Sequence, residues 1–230
     1  MNRSNRFKEN LEKINREKEY MLAKAVDLLK DQKSVGFDES VDIAVNLGVD
    51  PKHADQIVRG TISLPHGTGK KVRVLALCKG ENVVAAEKSG ADFVGSDDYI
   101  DKIKNGWMEI DVIIASPDMM ASVGKIGRIL GPRGLMPNPK SGTVSVDVAK
   151  AVKEVKSGRI EFRVDKYGII HASVGKLSFD SEKLIDNAKA LMAALMRAKP
   201  NASKGVYLKK VSITTTMGPG VKIDKNEFTA

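Results

Sequence analysis

The sequence predicts two domains, an α/β domain inserted into an α+β domain that is built from both ends of the chain, and three observations carry that prediction. Residues 72–117 alternate short apolar strands with short helices at a pace that suits a largely parallel sheet between helical layers. Residues 41–47 and 160–174 instead alternate apolar with polar side chains at a period of two, as strands with one buried face do. The change of style falls at two glycine-bearing breaks, Pro65-His66-Gly67-Thr68-Gly69 and Ser157-Gly158. The expected units are therefore 1–67 with 160–230, a discontinuous, split βαβ-like α+β domain, and 68–159, a three-layer, Rossmann-like α/β domain. Two adjacent chain crossings are expected to act as a hinge.

Each element has its own signal. From Asn5 to Gln32 the apolar residues Phe7, Leu11, Ile14, Met21, Ala25, Leu28 and Leu29 recur at mostly helical spacing among charges, which predicts one long or two short amphipathic helices. Val41, Ile43, Val45 and Leu47 predict a strand. Asp50-Pro51 reads as an N-cap and first helical residue, with Gly60 closing a short helix and a strand at 61–64. In the middle, 72–78 is a continuous apolar strand, 82–89 a helix stopped by Gly90, and 93–94 a short strand. A helix at 97–105 before Gly106, a buried strand at 111–115 and a helix opening at Ser116-Pro117 follow. Beyond Gly158, Ile160, Phe162 and Val164 alternate with Glu161, Arg163 and Asp165, and a turn ending at Gly168 predicts a hairpin with 169–174 as its return. Leu184, Ala188, Leu191 and Leu195 form a helical stripe that ends before Pro200, and 206–216 resumes strand character.

The 230 residues are 42% hydrophobic, enough for ordinary packed cores. Against 29 acidic residues stand 38 basic ones, a formal charge of +9 that favours a polyanionic partner. The surplus is uneven: 11 basic and 11 acidic residues in 1–67, 15 and 11 in 68–159, 12 and 7 in 160–230. The single cysteine, Cys78, lies in an apolar run and reads as a buried inert thiol, which excludes an internal disulfide and a cysteine zinc cluster. His53, His66 and His171 are scattered, so neither a metal nor a cofactor is expected. Arg3, Arg6 and Lys8 lead into mixed charge, unlike a secretory signal, and apolar runs such as 190–196 fall well short of the roughly 18–20 residues of a membrane span. The expectation is a cytoplasmic protein with no membrane partner.

Catalysis finds no support in the motifs. A phosphate loop needs Gly-x-x-x-x-Gly-Lys before Ser or Thr, but Lys70 is followed by Lys71 and Lys125 by Ile126. The first strand-to-helix turn, Lys79-Gly80-Glu81, has one glycine where a dinucleotide fingerprint needs three. No Gly-x-Ser-x-Gly elbow occurs. Asp97-Asp98 and Asp38-Glu39 are accounted for by helix capping and a solvated strand start.

Two other stretches stand out. Between Asp118 and Asp147 there is no acidic residue, while Lys125, Arg128, Arg133 and Lys140 fall among glycines and prolines. Glycine lets a backbone approach a phosphate and proline lowers the entropy lost on ordering, so the stretch reads as either a nucleic-acid loop or a structural one. The second is Thr214-Thr215-Thr216-Met217-Gly218-Pro219-Gly220, where three hydroxyls run into a sharp turn. Hydroxyls and turn amides can meet ribose 2′-OH groups and phosphates, which suits the shape of folded RNA. With 5% aromatic residues, a stacking surface for single strands is disfavoured. A basic scaffold for protein partners remains the alternative class.

GRILGPRGLMPNPKSGTV (127–144), SGRIEFRVDKYGIIHASVGKLSF (157–179), TTTMGPG (214–220) and DQIVRGTISLPHGTGKKVRVLAL (55–77) together resemble the bacterial ribosomal protein L one family, the stalk proteins of the large subunit. The resemblance covers nearly the whole chain. It implies a two-domain, non-enzymatic protein of the ribosome whose terminal domain binds the stalk region of 23S rRNA near the E site and assists release of deacylated tRNA. It further implies repression of its own operon through an mRNA segment that mimics the rRNA site. Carried over by position, the implied RNA contacts are Thr214, Thr216, Met217 and Gly218, with Phe37, Ser40 and His171 on neighbouring strand ends. Gly36 departs from a lysine common in the family, and Ser40 replaces a frequent threonine while keeping the hydroxyl. Lys125, Arg128, Arg133 and Lys140 are the implied contacts to stalk RNA or passing tRNA.

Overall fold

The computed structural model describes residues 4–33 and 35–228; Arg3 of the basic terminus lies outside them. The chain divides into two compact units, Met1–Gly69 with Ile160–Ala230, and Lys70–Arg159.

The N-terminal part of the first unit opens with two short helices, α1 (Asn5–Glu12) and α2 (Leu22–Lys30). Ser4 caps α1 by accepting from Phe7 N at 3.3 Å. α2 buries Leu22, Ala25, Val26 and Leu29, the i, i+3, i+4, i+7 stripe of a helix lying on a core. Met21, assigned to that stripe from sequence, is instead the residue ahead of the helix and is 68% exposed; Leu22 takes its place. Strand β1 (Ser40–Leu47) alternates as expected, with Val41, Ile43, Val45 and Leu47 inward. The helix expected after Asp50-Pro51 does not form. Asp50 Oδ1 accepts from Lys52 N at 3.1 Å, a turn results, and only one 3₁₀ turn, Ala54–Gln56, follows, because residues 52–56 carry no apolar stripe to bury. Gly60 lies inside β2 (Arg59–Ser63), where an added Cβ would meet the Phe162 ring at 2.8 Å.

The second unit alternates β3 (Val74–Leu77), α3 (Glu81–Lys88), β4 (Phe93–Gly95), α4 (Asp97–Lys104), β5 (Val112–Ala115), α5 (Met120–Lys125), α6 (Gly127–Leu130) and α7 (Val148–Lys156). The sheet order is β4-β3-β5, all parallel. Leu75, Leu77, Ile113 and Ala115 face Ile100, Ile103, Val123 and Leu130 on one side. Val74, Ala76, Cys78 and Ile114 face Ala86, Val148, Val152 and Val155 on the other. Continuous apolar strands are what a sheet covered on both faces requires. Gly90 and Gly106 end α3 and α4 at φ 88° and 98°, a conformation that favours glycine. Burial, with a smaller push from Glu87, raises the Cys78 thiol, so it is a packing group with little thiolate.

The chain then returns to the first unit through β6 (Arg159–Arg163), β7 (Ile169–Lys176), α8 (Ser181–Arg197), β8 (Leu208–Thr215) and β9 (Val221–Ile223). A four-stranded sheet runs β7-β1-β8-β9, antiparallel throughout. β7 and β8 are therefore parallel, joined by α8 and separated by β1, which is a split βαβ. The expected hairpin is reduced to one bridge, Val164 to Ile170, because β6 pairs with β2 while β7 is taken up by β1. Leu184, Ala188, Leu191 and Leu195 are buried on α8 as its stripe requires. Asn187, fully buried on the same helix, accepts from His66 N at 3.1 Å and donates to Gly67 O at 2.9 Å and Val174 O at 2.8 Å, fastening the first chain crossing to the core.

In the inserted unit two carboxylates close the sheet's end. Asp92 accepts from Val74 N at 2.8 Å and Lys156 Nζ at 2.9 Å; Asp111 accepts from Arg73 N at 3.1 Å, Arg73 Nε at 3.2 Å and Lys70 Nζ at 3.1 Å. Burial alone would raise both carboxyls, but these hydrogen bonds outweigh it and hold both below the ordinary aspartate value. A carboxyl lowered by folding contributes stability that is fully present above its unfolded pKa, about 3.9, and lost as the pH falls through the folded value. An Asp92→Asn/Asp111→Asn variant should therefore melt below wild type at neutral pH, with the gap closing as calorimetric scans are taken down from about pH 5 to about pH 3. A gap that stays constant would show that the two carboxylates are not the linked groups.

Candidate nucleic-acid interface

The helices α2 and α8 pack their apolar stripes against the inward residues of the four-stranded sheet, in one core with Val41, Ile43, Val45, Ile170 and Ile213. The alternate residues form the sheet's other face. Along β1 these are Ser40, Asp42, Ala44 and Asn46; their partners are Lys176, Ser173 and His171 on β7 and Thr214, Ser212 and Lys210 on β8. This face is mostly polar, with Ala44 and Ile169, the partner of Asn46 on β7, as its apolar members.

At the Ser40 end the chain turn after β8 closes against the start of β1. Thr216 N donates to Ser40 O at 3.0 Å, and the Thr216 hydroxyl both accepts from Ser40 N at 3.0 Å and donates to Ser40 O at 3.3 Å. Met217 N donates to Glu39 Oε2 at 2.8 Å, and Met217 O accepts from Arg6 Nη2 at 3.1 Å. Gly218 N donates to Thr215 O at 3.2 Å, while Thr214 Oγ1 donates to Thr215 O and Gly218 O. A Cβ on Gly218 would drive into Gln32 Oε1 and Thr215 Oγ1, so only glycine fits. Lys176 Nζ donates to Ser40 Oγ at 3.0 Å and Asp38 O at 3.4 Å, bringing a cation to the same spot.

The hydrogen-bond account of this cluster corrects one expectation. The amides of Thr216, Met217 and Gly218 are all spent inside the protein, so they are not phosphate donors. The Thr214 and Thr216 hydroxyl protons are spent too, which leaves these oxygens as acceptors, suited to a ribose 2′-OH or a base amine. Ser40 keeps its own hydroxyl proton, since its Oγ only accepts from Lys176. The free donors at this spot are therefore the Lys176 ammonium and the Ser40 hydroxyl.

Among the residues singled out from sequence, Ser40, Thr214, Thr216, Met217 and Gly218 come together here. Phe37 lies in the loop ahead of β1 with 53% of its surface exposed. His171 is exposed on the same face, but opposite Ala44, four residues along β1 from Ser40, which is about 13 Å at the rise of a strand. Glu39, Lys176 and Arg6 are additions that the sequence reading passed over. Lys176 belongs to the segment 157–179 that carries the family resemblance. Glu39 was read as part of a solvated strand start, yet it is 2% exposed because the turn from Thr216 to Gly218 covers it.

The inserted unit offers a different surface. Lys125 ends α5, Arg128 lies on α6, Arg133 in the turn before Gly134 (φ 69°), and Lys140 in the single turn Pro139–Ser141. All four are exposed, and among the described residues none of their side chains has an ion-pair or hydrogen-bond partner. The backbone beneath is fixed: Asn138 Oδ1 accepts from Lys140 N at 2.9 Å, and Thr143 Oγ1 from Asn138 N at 2.8 Å.

Residues 28–219 match the family model described as the ribosomal protein L1p/L10e family. The chain belongs to this family. It is 59% identical over 218 residues to a large ribosomal subunit protein uL1 of Chlorobaculum tepidum, spanning 95% of this chain and 94% of the relative. A large ribosomal subunit protein uL1 of Chlorobium chlorochromatii is 56% identical over 223 residues, 97% of each chain. Membership in the L1p/L10e family makes the chain a structural protein of the ribosome and not an enzyme.

Thr216→Val keeps the shape of the side chain but leaves Ser40 N without its partner. Urea unfolding should show a loss of roughly 1–2 kcal/mol for the two hydrogen bonds that the hydroxyl makes with Ser40. An unchanged midpoint would mean that the latch between Thr216 and Ser40 carries no net stability.

Proposed function

We propose that this chain is a constituent of the large ribosomal subunit that binds the stalk region of 23S rRNA near the E site, through the polar end of the four-stranded sheet. In the same reading it works in the cytoplasm on the ribosome, assists release of deacylated E-site tRNA, and represses translation of its own operon mRNA. The observation that carries this is the juxtaposition of the Thr216-Met217-Gly218 turn with Ser40 and Lys176. It pairs acceptors fit for 2′-OH groups with one hydroxyl donor and one cation. Family membership and the names of the two uL1 relatives support the ribosomal part.

Repression follows if one surface takes two RNAs in turn. An mRNA segment folded into the rRNA shape would compete for the same acceptors, so excess protein would occupy the message only once the rRNA sites are filled. Lys125, Arg128, Arg133 and Lys140 supply, in this reading, phosphate contacts to stalk RNA or tRNA from the inserted unit.

The test is binding to a stalk-region transcript across salt, beside an unrelated hairpin and the operon leader. Specific binding of the stalk and leader RNAs, each weakened about tenfold by Ser40→Ala, is the expected result. Equal, salt-sensitive binding to all three RNAs would reduce the protein to a generic polycation and sink the reading. For the inserted loop, Arg133→Ala/Lys140→Ala should flatten the salt dependence by roughly two counterions and weaken all RNAs alike. An unaltered slope would remove those residues from the contact.

A further inference from the structure

We propose that Arg6 is a positioning residue for the RNA-facing turn: its guanidinium, opposed by Glu39, clamps the Met217 peptide in the shape that RNA meets, without contacting RNA itself. The inference rests on the reading of that turn as an RNA surface.

Both backbone polar atoms of Met217 are held by charged side chains that reach in from far along the sequence. Arg6 Nη2 donates to Met217 O at 3.1 Å, and Glu39 Oε2 accepts from Met217 N at 2.8 Å. Charge-assisted hydrogen bonds of this kind are roughly twice as strong as neutral ones. The Met217 side chain remains 51% exposed, so the peptide is fastened while the side chain is presented. The second guanidinium nitrogen, Nη1, donates to Lys33 O at 3.1 Å, and the arginine thus bridges two carbonyls that only a fork of donors can reach together.

Arg6 is itself held in place. Asn10, fully buried one turn further along α1, donates to Lys33 O at 3.1 Å and accepts from Lys33 N at 2.9 Å. Lys33 also pairs with Glu9, and Lys13 Nζ donates to Asp31 O at 2.8 Å. Helix α1 is thereby bolted to residues 31–33, and Arg6 reaches from it to the turn. Beside the turn, the Gln32 carboxamide, 7% exposed and lying against Gly218, has no hydrogen-bond partner among the described residues for either of its side-chain polar atoms. The clamp on Met217 sits directly ahead of the Gly218-Pro219-Gly220 turn and fixes the peptide that leads into it. Arg6 lies ahead of the segment matched by the family model.

The test uses the full chain with Arg6→Lys, which keeps the charge but loses the fork, beside Arg6→Ala. Stalk-transcript binding is measured across salt, and exchange of the Met217 amide and the melting temperature are measured without RNA. Both variants should bind about tenfold more weakly with an unchanged salt slope, exchange the Met217 amide faster, and melt within a few degrees of wild type. Wild-type affinity in Arg6→Lys would overturn the inference, since charge alone would then suffice. So would a slope lowered by about one in Arg6→Ala only, the mark of a direct phosphate contact, or an unaltered Met217 exchange rate. Failure of the wild type itself to prefer the stalk transcript would overturn the functional reading underneath, whatever the variants do.

Discussion

β1 is the strand on which the first unit depends, because it is the central strand that joins β7 and β8 by backbone pairing along both of its edges. Its residues 40–47 pair with β7 on one edge and β8 on the other, partners that lie more than a hundred residues away in sequence. Without β1, β7 and β8 would be parallel strands with a gap between them and a helix, α8, covering nothing. Closing such distant pairings is an entropic burden, yet it grows only with the logarithm of loop length, about 0.6 kcal/mol per doubling. β2 and β6 pair at the two crossings, so the insertion leaves and re-enters the first unit at neighbouring points.

The same pairing creates the candidate site. The last residues of β8 overrun the start of β1, and Thr216 completes the ladder with its side chain where the strand no longer can. The amides of Thr216, Met217 and Gly218 are all consumed within the protein. The surface left over is therefore rich in acceptors and poor in neutral donors, an unusual balance for a partner whose backbone consists of anions. It fits contact with sugars and base edges, while the positive charge needed for phosphates is carried by side chains such as Lys176 and Lys210 on the sheet face. If the proposed RNA reading holds, the consequence is a division of labour in which the turn reads shape with little dependence on salt and the lysines supply attraction that salt screens.

How much of this was legible in the sequence depends on the range of the interaction. The β3–α7 alternation was readable because a covered parallel strand must be apolar throughout, and Val74–Leu77 and Val112–Ala115 are. β1 and α8 were readable from their periods. The helix after Asp50-Pro51 was misread because cap chemistry at Asp50 was present without an apolar stripe behind it, and a cap alone stabilises only a turn. The 160–174 hairpin was misread because a local pattern cannot show that β1 and β2, remote in sequence, compete for the two arms. β9 gave no signal at three residues. At the site, the turn and Ser40 were visible as motifs, whereas Arg6 and Glu39 were not: an arginine in a charged helix and a glutamate at a strand start look like solvated surface until the fold brings them to the Met217 peptide.

The two cationic surfaces differ in a way that bears on their roles. In the loop of residues 125–140 the backbone is fixed by its own hydrogen bonds and the four charged side chains are free, so the entropy of those chains is lost only when a partner arrives. At the turn the reverse holds: side chains such as Arg6, Lys176 and Glu39 are already engaged in shaping the surface, and little order remains to be gained. A preorganised surface favours one geometry and rejects others through unpaired groups, whereas free cations accept many anionic shapes. Discrimination between RNAs should therefore reside in the terminal unit, and the inserted unit should add affinity that is largely indifferent to sequence.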